Sequence, residues 1–71
     1  MTDKQFLKKL GKKISQLREE KEISVQNLAE KVDVSRMELY RIEKGEVNSS
    51  INVLRRISKE LGVDVSELIK I

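Results

Sequence analysis

Residues 24–45 read SVQNLAEKVDVSRMELYRIEKG, and their pattern decides the fold. Four apolar residues in the first half recur at spacings of three and four and predict one face of a short helix: Val25, Leu28, Ala29 and Val32. Leu39 and Ile42 in the second half predict the buried side of another short helix. Only residues 32–34 connect the two patterns, so we expect the two helices to cross steeply.

Small and polar residues mark the ends of both predicted helices. The hydroxyl of Ser24 can cap the first helix, and Ser35 with Glu38 three residues later predicts a capping box at the start of the second. Gly45 predicts where the second helix ends. The small side chain of Ala29 is expected to let the second helix approach the first closely.

If Leu39 and Ile42 face inward, the opposite side of the second helix faces solvent. That outward stripe consists of Arg36, Met37, Tyr40 and Arg41. Two interpretations of the stripe remain open on spacing alone. It is either a surface that reads DNA or the solvent-exposed polar face of an ordinary helical hairpin, without a binding function.

The rest of the chain is predicted to be helical as well. Five helices are expected, at residues 3–21, 25–32, 36–44, 51–61 and 65–70, with no strand. Thr2 with Gln5 predicts a capping box for the first helix, and Asp64 with Glu67 predicts a cap for the last. The last helix should bury Val65, Leu68 and Ile69. We therefore expect an all-α, compact five-helix bundle, with residues 1–71 forming a single domain.

Composition excludes many kinds of chemistry. A chain of 71 residues has room for a small core and no deep cleft, and it contains no cysteine and no histidine. Disulfides, thiol nucleophiles, Cys/His zinc sites and imidazole bases are therefore absent. We expect no enzyme, no cofactor and no small-molecule ligand. Since no apolar stretch approaches the roughly 20 residues of a membrane span, we expect a cytoplasmic protein without a membrane partner.

Positive charge is concentrated at the amino terminus. The net charge is +3, whereas the first thirteen residues hold five lysines against Asp3 alone, which gives 5 − 1 = +4. Such a cluster can contact phosphates, and it can equally be the solvated face of a helix.

Several motifs, in order, resemble the Cro and phage-repressor type of helix-turn-helix regulator, also called the Xre family. The resemblance covers roughly residues 10–69. Its motifs are LGKKI at 10–14, LREEK at 17–21, LAEK at 28–31, VSR at 34–36, RIEKG at 41–45, LGV at 61–63 and SEL at 66–68. It implies a lambda-repressor-like DNA-binding fold, with the helix-turn-helix formed by helices 2 and 3. It also implies a bacterial or phage transcriptional regulator whose third helix enters the major groove of double-stranded DNA.

The resemblance assigns roles to individual residues. It implies base contacts from Arg36, Met37 and Arg41, and a structural ion pair between Arg18 and Glu43. An arginine can bond to guanine O6 and N7 together, whereas a methionine can offer only apolar contact, for example to a thymine methyl group.

Contacts to DNA phosphates are expected from residues that flank the reading surface. The candidates are Ser24, Ser35, Tyr40, Lys44 and Asn48. Packing against the adjacent loop is an equally good interpretation of Tyr40. For Glu38 we favour the capping box over a contact to a cytosine amine.

The chain departs from the family at several positions. Val25 stands where the family usually has a glutamine that contacts phosphate. Glu22 and Asp33 replace glycines, so positive φ angles there would each cost about 1 kcal/mol. In the loop after the third helix, residues 48–50 read NSS where the family has asparagine-proline-serine.

The carboxyl-terminal segment has more apolar residues than a small core needs. Val63, Ile69 and Ile71 are candidate contacts of a homodimer, which would bind the two half-sites of a palindromic operator. The alternatives for this segment are a frayed terminus and a chain cut from a longer protein. For the whole chain, the alternative function is a protein-interaction module or an antitoxin that uses the same fold.

Overall fold

The computed structural model describes residues 2–70, which form five α-helices: α1 at Asp3–Glu20, α2 at Val25–Lys31, α3 at Arg36–Lys44, α4 at Ile51–Leu61 and α5 at Val65–Ile69. The bounds of α3 and α4 match the prediction. The other three helices each end one residue earlier than predicted, because Lys21, Val32 and Lys70 are C-caps with non-helical backbone angles. No strand occurs among the described residues, so the expected all-α architecture is confirmed.

Side-chain caps start four of the five helices. The hydroxyls of Thr2, Ser24, Ser35 and Ser50 each accept a hydrogen bond from the backbone N–H three residues later. Thr2 and Gln5 also form the reciprocal bond, as a capping box requires.

Of the four predicted caps, the one at Ser35 was wrong in part and the one at Asp64 was wrong entirely. Ser35 accepts from the backbone N–H of Glu38 at 3.0 Å, but within residues 2–70 the Glu38 side chain makes no return bond. The Asp64 side chain forms no cap bond at the start of α5. There the N–H of Glu67 donates to the Asp64 carbonyl at 2.9 Å instead, so the backbone alone closes this turn.

Four helices end in the same left-handed turn. The residues in this conformation are Glu22, Asp33, Gly45 and Gly62, with φ of 57°, 61°, 73° and 72°. In each case the next residue donates its N–H to a carbonyl five residues back, as in Val34 to Ala29 at 3.0 Å. Glu22 and Asp33 therefore adopt the left-handed conformation that a glycine adopts without strain, as the resemblance led us to expect.

The core lies between all five helices. Its fully buried large side chains are Ile14, Leu28, Val32, Leu39, Ile57, Leu61 and Leu68. In α5 only Leu68 is fully buried; Val65 is partly buried and Ile69 is 41% exposed. The predicted burial of Ile69 was therefore wrong, because Ile69 directly follows Leu68 and successive side chains of a helix point about 100° apart. Within the described part of the chain, no helix is long and apolar enough to cross a membrane.

Candidate nucleic-acid interface

The turn between α2 and α3 is held from both sides. The N–H of Val34 donates to the carbonyl of Ala29, and Arg56 on α4 donates from Nε to the carbonyl of Val32 at 2.9 Å. Ala29 is buried, as the predicted close contact between the two helices requires. Arg56 was not anticipated from the sequence, since nothing in its spacing links it to the turn.

A second arginine anchors the far end of α3. Arg18 on α1 donates from Nε to Glu43 Oε2 at 2.8 Å and from Nη2 to Glu43 Oε1 at 3.1 Å. Its Nη1 donates to the carbonyl of Ile23 at 2.9 Å. The side chains of Arg18 and Glu43 are only 12% and 9% exposed, so the pair is largely shielded from solvent. The hydrogen bond to Glu43 raises the pKa of Arg18, and this effect outweighs the lowering of the pKa by burial.

Glycine allows α1 and α3 to touch backbone to backbone. Gly11 is buried, and a Cβ atom added there would overlap the carbonyl oxygens of Ile42 and Glu43. The same contact brings Arg18 and Glu43, which lie on these two helices, within reach of each other. Sequence reasoning missed Gly11, and the only available signal was a glycine inside an otherwise strong helical pattern.

The outward side of α3 carries the predicted base-reading residues. Arg36, Met37 and Arg41 are exposed, and Met37 is 58% accessible. Met37 lines two adjoining depressions of the surface. One of them also contains Arg36, and the other also contains Arg41. The structure therefore brings the three residues together on one continuous face, with Met37 at its centre.

The predicted phosphate-contacting residues lie around this face. Ser35 and Asn48 line the depression that contains Arg41. The Nζ of Lys44 lies 5.4 Å from the centre of the Tyr40 ring, which is a cation–π contact, and Tyr40 is 49% exposed. Ser24 is exposed at the start of α2. The hydroxyls of Ser24 and Ser35 already accept cap bonds, so each retains its proton for donation to a phosphate oxygen.

The charge of this face depends on the buried ion pair. Residues 35–48 contain three cations and three carboxylates, which cancel: Arg36, Arg41 and Lys44 against Glu38, Glu43 and Glu46. Because Glu43 is bound by Arg18, three cations face two carboxylates at the surface, a net charge of 3 − 2 = +1. Glu38 is one of those two. Because its side chain is not used in a cap, it is exposed beside Met37 and Arg41.

The candidate dimer residues lie in the carboxyl-terminal segment, in α5 and next to it. Val63 is partly buried against the core, and Ile69 is 41% exposed. Lys13 contacts this helix, with Nζ 3.8 Å from Glu67 Oε2 and 3.5 Å from the Lys70 carbonyl. At least one lysine of the amino-terminal cluster thus contacts α5. Ile71, the third candidate, lies outside the described residues.

Comparison with known proteins agrees with this architecture. The family model described as "Helix-turn-helix", HTH_3, matches residues 14–68. The immunity repressor protein of Bacillus phage phi105 is 33% identical over 60 residues, which are 84% of this chain and 42% of the repressor. The chain thus spans less than half the length of that relative.

Two further proteins are similar over most of the chain. The control protein C.MunI of a Mycoplasma species is 38% identical over 61 residues, which are 84% of this chain and 82% of that protein. The crystal structure of the clp gene regulator ClgR from Corynebacterium glutamicum superimposes with a TM-score of 0.88 at 26% identity, covering 92% of this chain and 69% of that one. The chain therefore belongs to the HTH_3 helix-turn-helix family, the Cro and phage-repressor (Xre) type of DNA-binding transcriptional regulators.

Proposed function

We propose that this chain is a sequence-specific transcriptional regulator that binds a palindromic operator as a homodimer and represses by occlusion. One observation carries the proposal: Arg36, Met37 and Arg41 share an exposed face of a helix that is anchored at both ends. Residues that read base edges must be held rigidly, because each hydrogen bond loses its discrimination when the donor can move.

The chemistry of the face suits the major groove. The guanidinium groups of Arg36 and Arg41 can each bond to guanine O6 and N7, and Met37 can contact only apolar groups. The surrounding hydroxyl, amide and ammonium groups of Ser24, Asn48 and Lys44 suit phosphate oxygens. This surface uses no cofactor and performs no reaction, and occupation of the operator is sufficient to exclude polymerase.

A homodimer would strengthen binding without new contacts to each half-site. One helix-turn-helix unit reaches one half-site, whereas two units related by a twofold axis reach half-sites about 34 Å apart and combine their affinities. We assign the exposed side chain of Ile69 on α5 to the contact between the two copies. A contact built on this side chain buries little area, so the dimer is expected to be weak in the absence of DNA.

Selection of bound duplexes from a random pool tests this function. We expect an enriched inverted repeat with one helical turn between the half-site centres, and an affinity that falls steeply as salt increases. The double variant Arg36→Ala, Arg41→Ala should recover no enriched sequence while remaining folded. A wild-type chain that enriches no sequence and responds weakly to salt would contradict the proposal, and would favour a module that binds another protein.

A further inference from the structure

The first two turns of α1 lie outside the part of the chain that matches the helix-turn-helix family. The family model begins at residue 14, whereas α1 begins at Asp3. The motifs that resemble the family begin only at residue 10. Residues 3–9 hold three lysines against one aspartate, a net charge of 3 − 1 = +2. We name residues 3–9 the α1 extension.

The α1 extension packs against the end of α3. A Cβ atom added at Gly45, the C-cap of α3, would lie 2.6 Å from Lys8 Cα and 2.8 Å from Lys8 N. This close approach of the two backbones places Lys8 beside Lys44, which contacts Tyr40 on the outward face of α3. Lys4 lies one turn before Lys8 on the same side of α1, because residues four apart share a helix face.

The structure divides the amino-terminal lysines into two groups. Lys9, Lys12 and Lys13 line a separate depression of the surface, and Lys13 contacts α5. Lys4 and Lys8 are exposed, and within residues 2–70 neither forms an ion pair. Only the second group adjoins the end of α3.

The second group continues a row of cations that begins on α3. Lys44, Lys8 and Lys4 follow one another from the last turn of α3 along the α1 extension. Glu46, which follows Gly45, is the neighbouring carboxylate on the side of α3, so the row has a net charge of 3 − 1 = +2. Because the row is continuous with the reading face, DNA is favoured over an acidic protein as its partner.

The length of α3 places this row next to a DNA strand. Nine residues make a helix of about 14 Å, and the major groove is about 12 Å wide. A helix of this length that reads base edges has its last turn close to one of the strands that border the groove. Lys44 lies in that turn, and Lys8 and Lys4 lie beyond it.

We infer that Lys4 and Lys8 bind phosphates of the strand that borders the end of α3, so that the α1 extension lengthens the contact of each protomer with the DNA backbone. The inference rests on the proposed DNA binding and adds a contact surface that lies outside the family match. These contacts carry no base specificity, because phosphates are the same at every base pair. They strengthen binding to the operator and to other DNA alike.

Salt titrations of DNA binding test the inference. The double variant Lys4→Gln, Lys8→Gln removes both charges and keeps the Cγ atom of Lys8 that lies near Gly45. We expect the slope of log affinity against log salt to fall by about 0.9 for each lost contact, and so by about 1.8 for each bound protomer. The base preference selected from a random pool should not change.

The control is the double variant Lys9→Gln, Lys21→Gln. It removes the same charge from two other exposed positions, one in α1 and one at its C-cap. The salt slope of this variant should stay close to that of the wild type. An equal decrease in both double variants would overturn the inference, because the effect would then be one of net charge.

Neutral phosphates locate the contact on the DNA. Methylphosphonate linkages, introduced one at a time into the bound duplex, each remove one negative charge. At a phosphate that Lys8 contacts, the linkage should weaken binding of the wild type about threefold. In Lys8→Gln the same linkage should have almost no effect, since the partner is already lost. Equal effects in both proteins at every linkage would contradict the contact.

Titrations on a duplex of unrelated sequence keep this inference separate from the proposed function. A wild-type chain that enriches no operator contradicts the proposed function, whereas the slope on the unrelated duplex still decides whether Lys4 and Lys8 bind phosphates. An unchanged slope in Lys4→Gln, Lys8→Gln on both duplexes would overturn the inference and leave operator reading by α3 intact. That result is expected if the row binds an acidic protein.

Discussion

The guanidinium of Arg18 and the carboxylate of Glu43 meet through two parallel hydrogen bonds, at 2.8 and 3.1 Å, in a site from which most solvent is excluded. The remaining nitrogen of Arg18 donates to the carbonyl of Ile23. One side chain therefore links α1, the connection to α2 and the end of α3. The pair also removes a negative charge from the face that we assign to DNA.

Glu43→Ala should lower the free energy of unfolding by about 3 kcal/mol, because it leaves the guanidinium of Arg18 shielded from solvent without a counter-charge. Urea unfolding measures the change. The matched control is Glu19→Ala, since Glu19 is also near Arg18, at 4.0 Å, but is 70% exposed. Its effect should stay within about 0.5 kcal/mol. Similar decreases in the free energy of unfolding of the two variants would show that the bond to Glu43 stabilises the fold no more than an exposed carboxylate does.

The contribution of Arg18 should not vary across neutral pH. The bond to Glu43 raises the pKa of Arg18, so its stabilising effect is complete below the pKa of the unfolded chain. At high pH that effect is lost as the pH rises through the still higher folded value, in strong alkali.

Gly11→Ala should destabilise the protein by about 2 kcal/mol, although alanine favours an isolated helix by about 1 kcal/mol. The added Cβ would overlap backbone carbonyls of α3 and push the two helices apart. The control is Gly62→Ala, where the nearest atom would be 3.6 Å away and only the positive φ is strained, so its loss should be nearer 1 kcal/mol. Thermal unfolding compares the two, and a stabilised Gly11→Ala would contradict the close packing.

The positions of the helices were predictable because their signals are local. The spacing of Leu39 and Ile42 and the hydroxyls of Ser24 and Ser35 act within one or two turns, so no tertiary information is needed. Gly11 and Arg56 were missed because their partners are distant in sequence: the Glu43 carbonyl lies 43 − 11 = 32 residues from Gly11, and the Val32 carbonyl lies 24 residues from Arg56.

The prediction for Glu38 was wrong for a different reason. A capping box needs a particular side-chain conformation in addition to a particular spacing, and the Ser35 cap forms without it. In α5, Leu68 and Ile69 are consecutive and point about 100° apart, so the helix that buries Leu68 fully leaves Ile69 41% exposed.

Glu22→Gly should stabilise the protein by about 0.5–1 kcal/mol, because φ at this position is 57° and a glycine adopts that angle without strain. Asp33→Gly should gain less, since aspartate tolerates the left-handed region better than glutamate. The control is Glu30→Gly inside α2, which should lose about 1 kcal/mol. Urea unfolding gives all three values. A loss in Glu22→Gly would show that the Glu22 side chain offsets the backbone strain.

Ile69→Lys should weaken the dimer without unfolding the chain, because Ile69 is already 41% exposed. A twofold contact would place the two added lysines near each other, so both charge repulsion and the loss of apolar contact area would weaken the dimer. The control is Ile51→Lys, because Ile51 is 57% exposed and lies at the start of α4, whereas α5 follows the end of α4. Sedimentation at micromolar concentration, with and without operator, measures the state. A wild-type chain that is monomeric on DNA would exclude the dimer.

Arg41→Ala and Lys44→Ala should weaken operator binding in different ways. Loss of a base-reading fork should cost about 1–3 kcal/mol on the preferred operator and relax the preference at one base position. Loss of a phosphate contact should weaken binding to all sequences alike and reduce the slope of log affinity against log salt by about 1.

Selection profiles and salt titrations of both variants separate the two roles. Lys21→Ala is the control for the loss of one positive charge, because Lys21 is exposed at the end of α1 and lies beside Gly62, at the end of α4. It should leave the profile and the slope almost unchanged. If Arg41→Ala reduced the salt slope and kept the base preference, Arg41 would be a phosphate contact, and Arg36 would be left as the one arginine that reads a base.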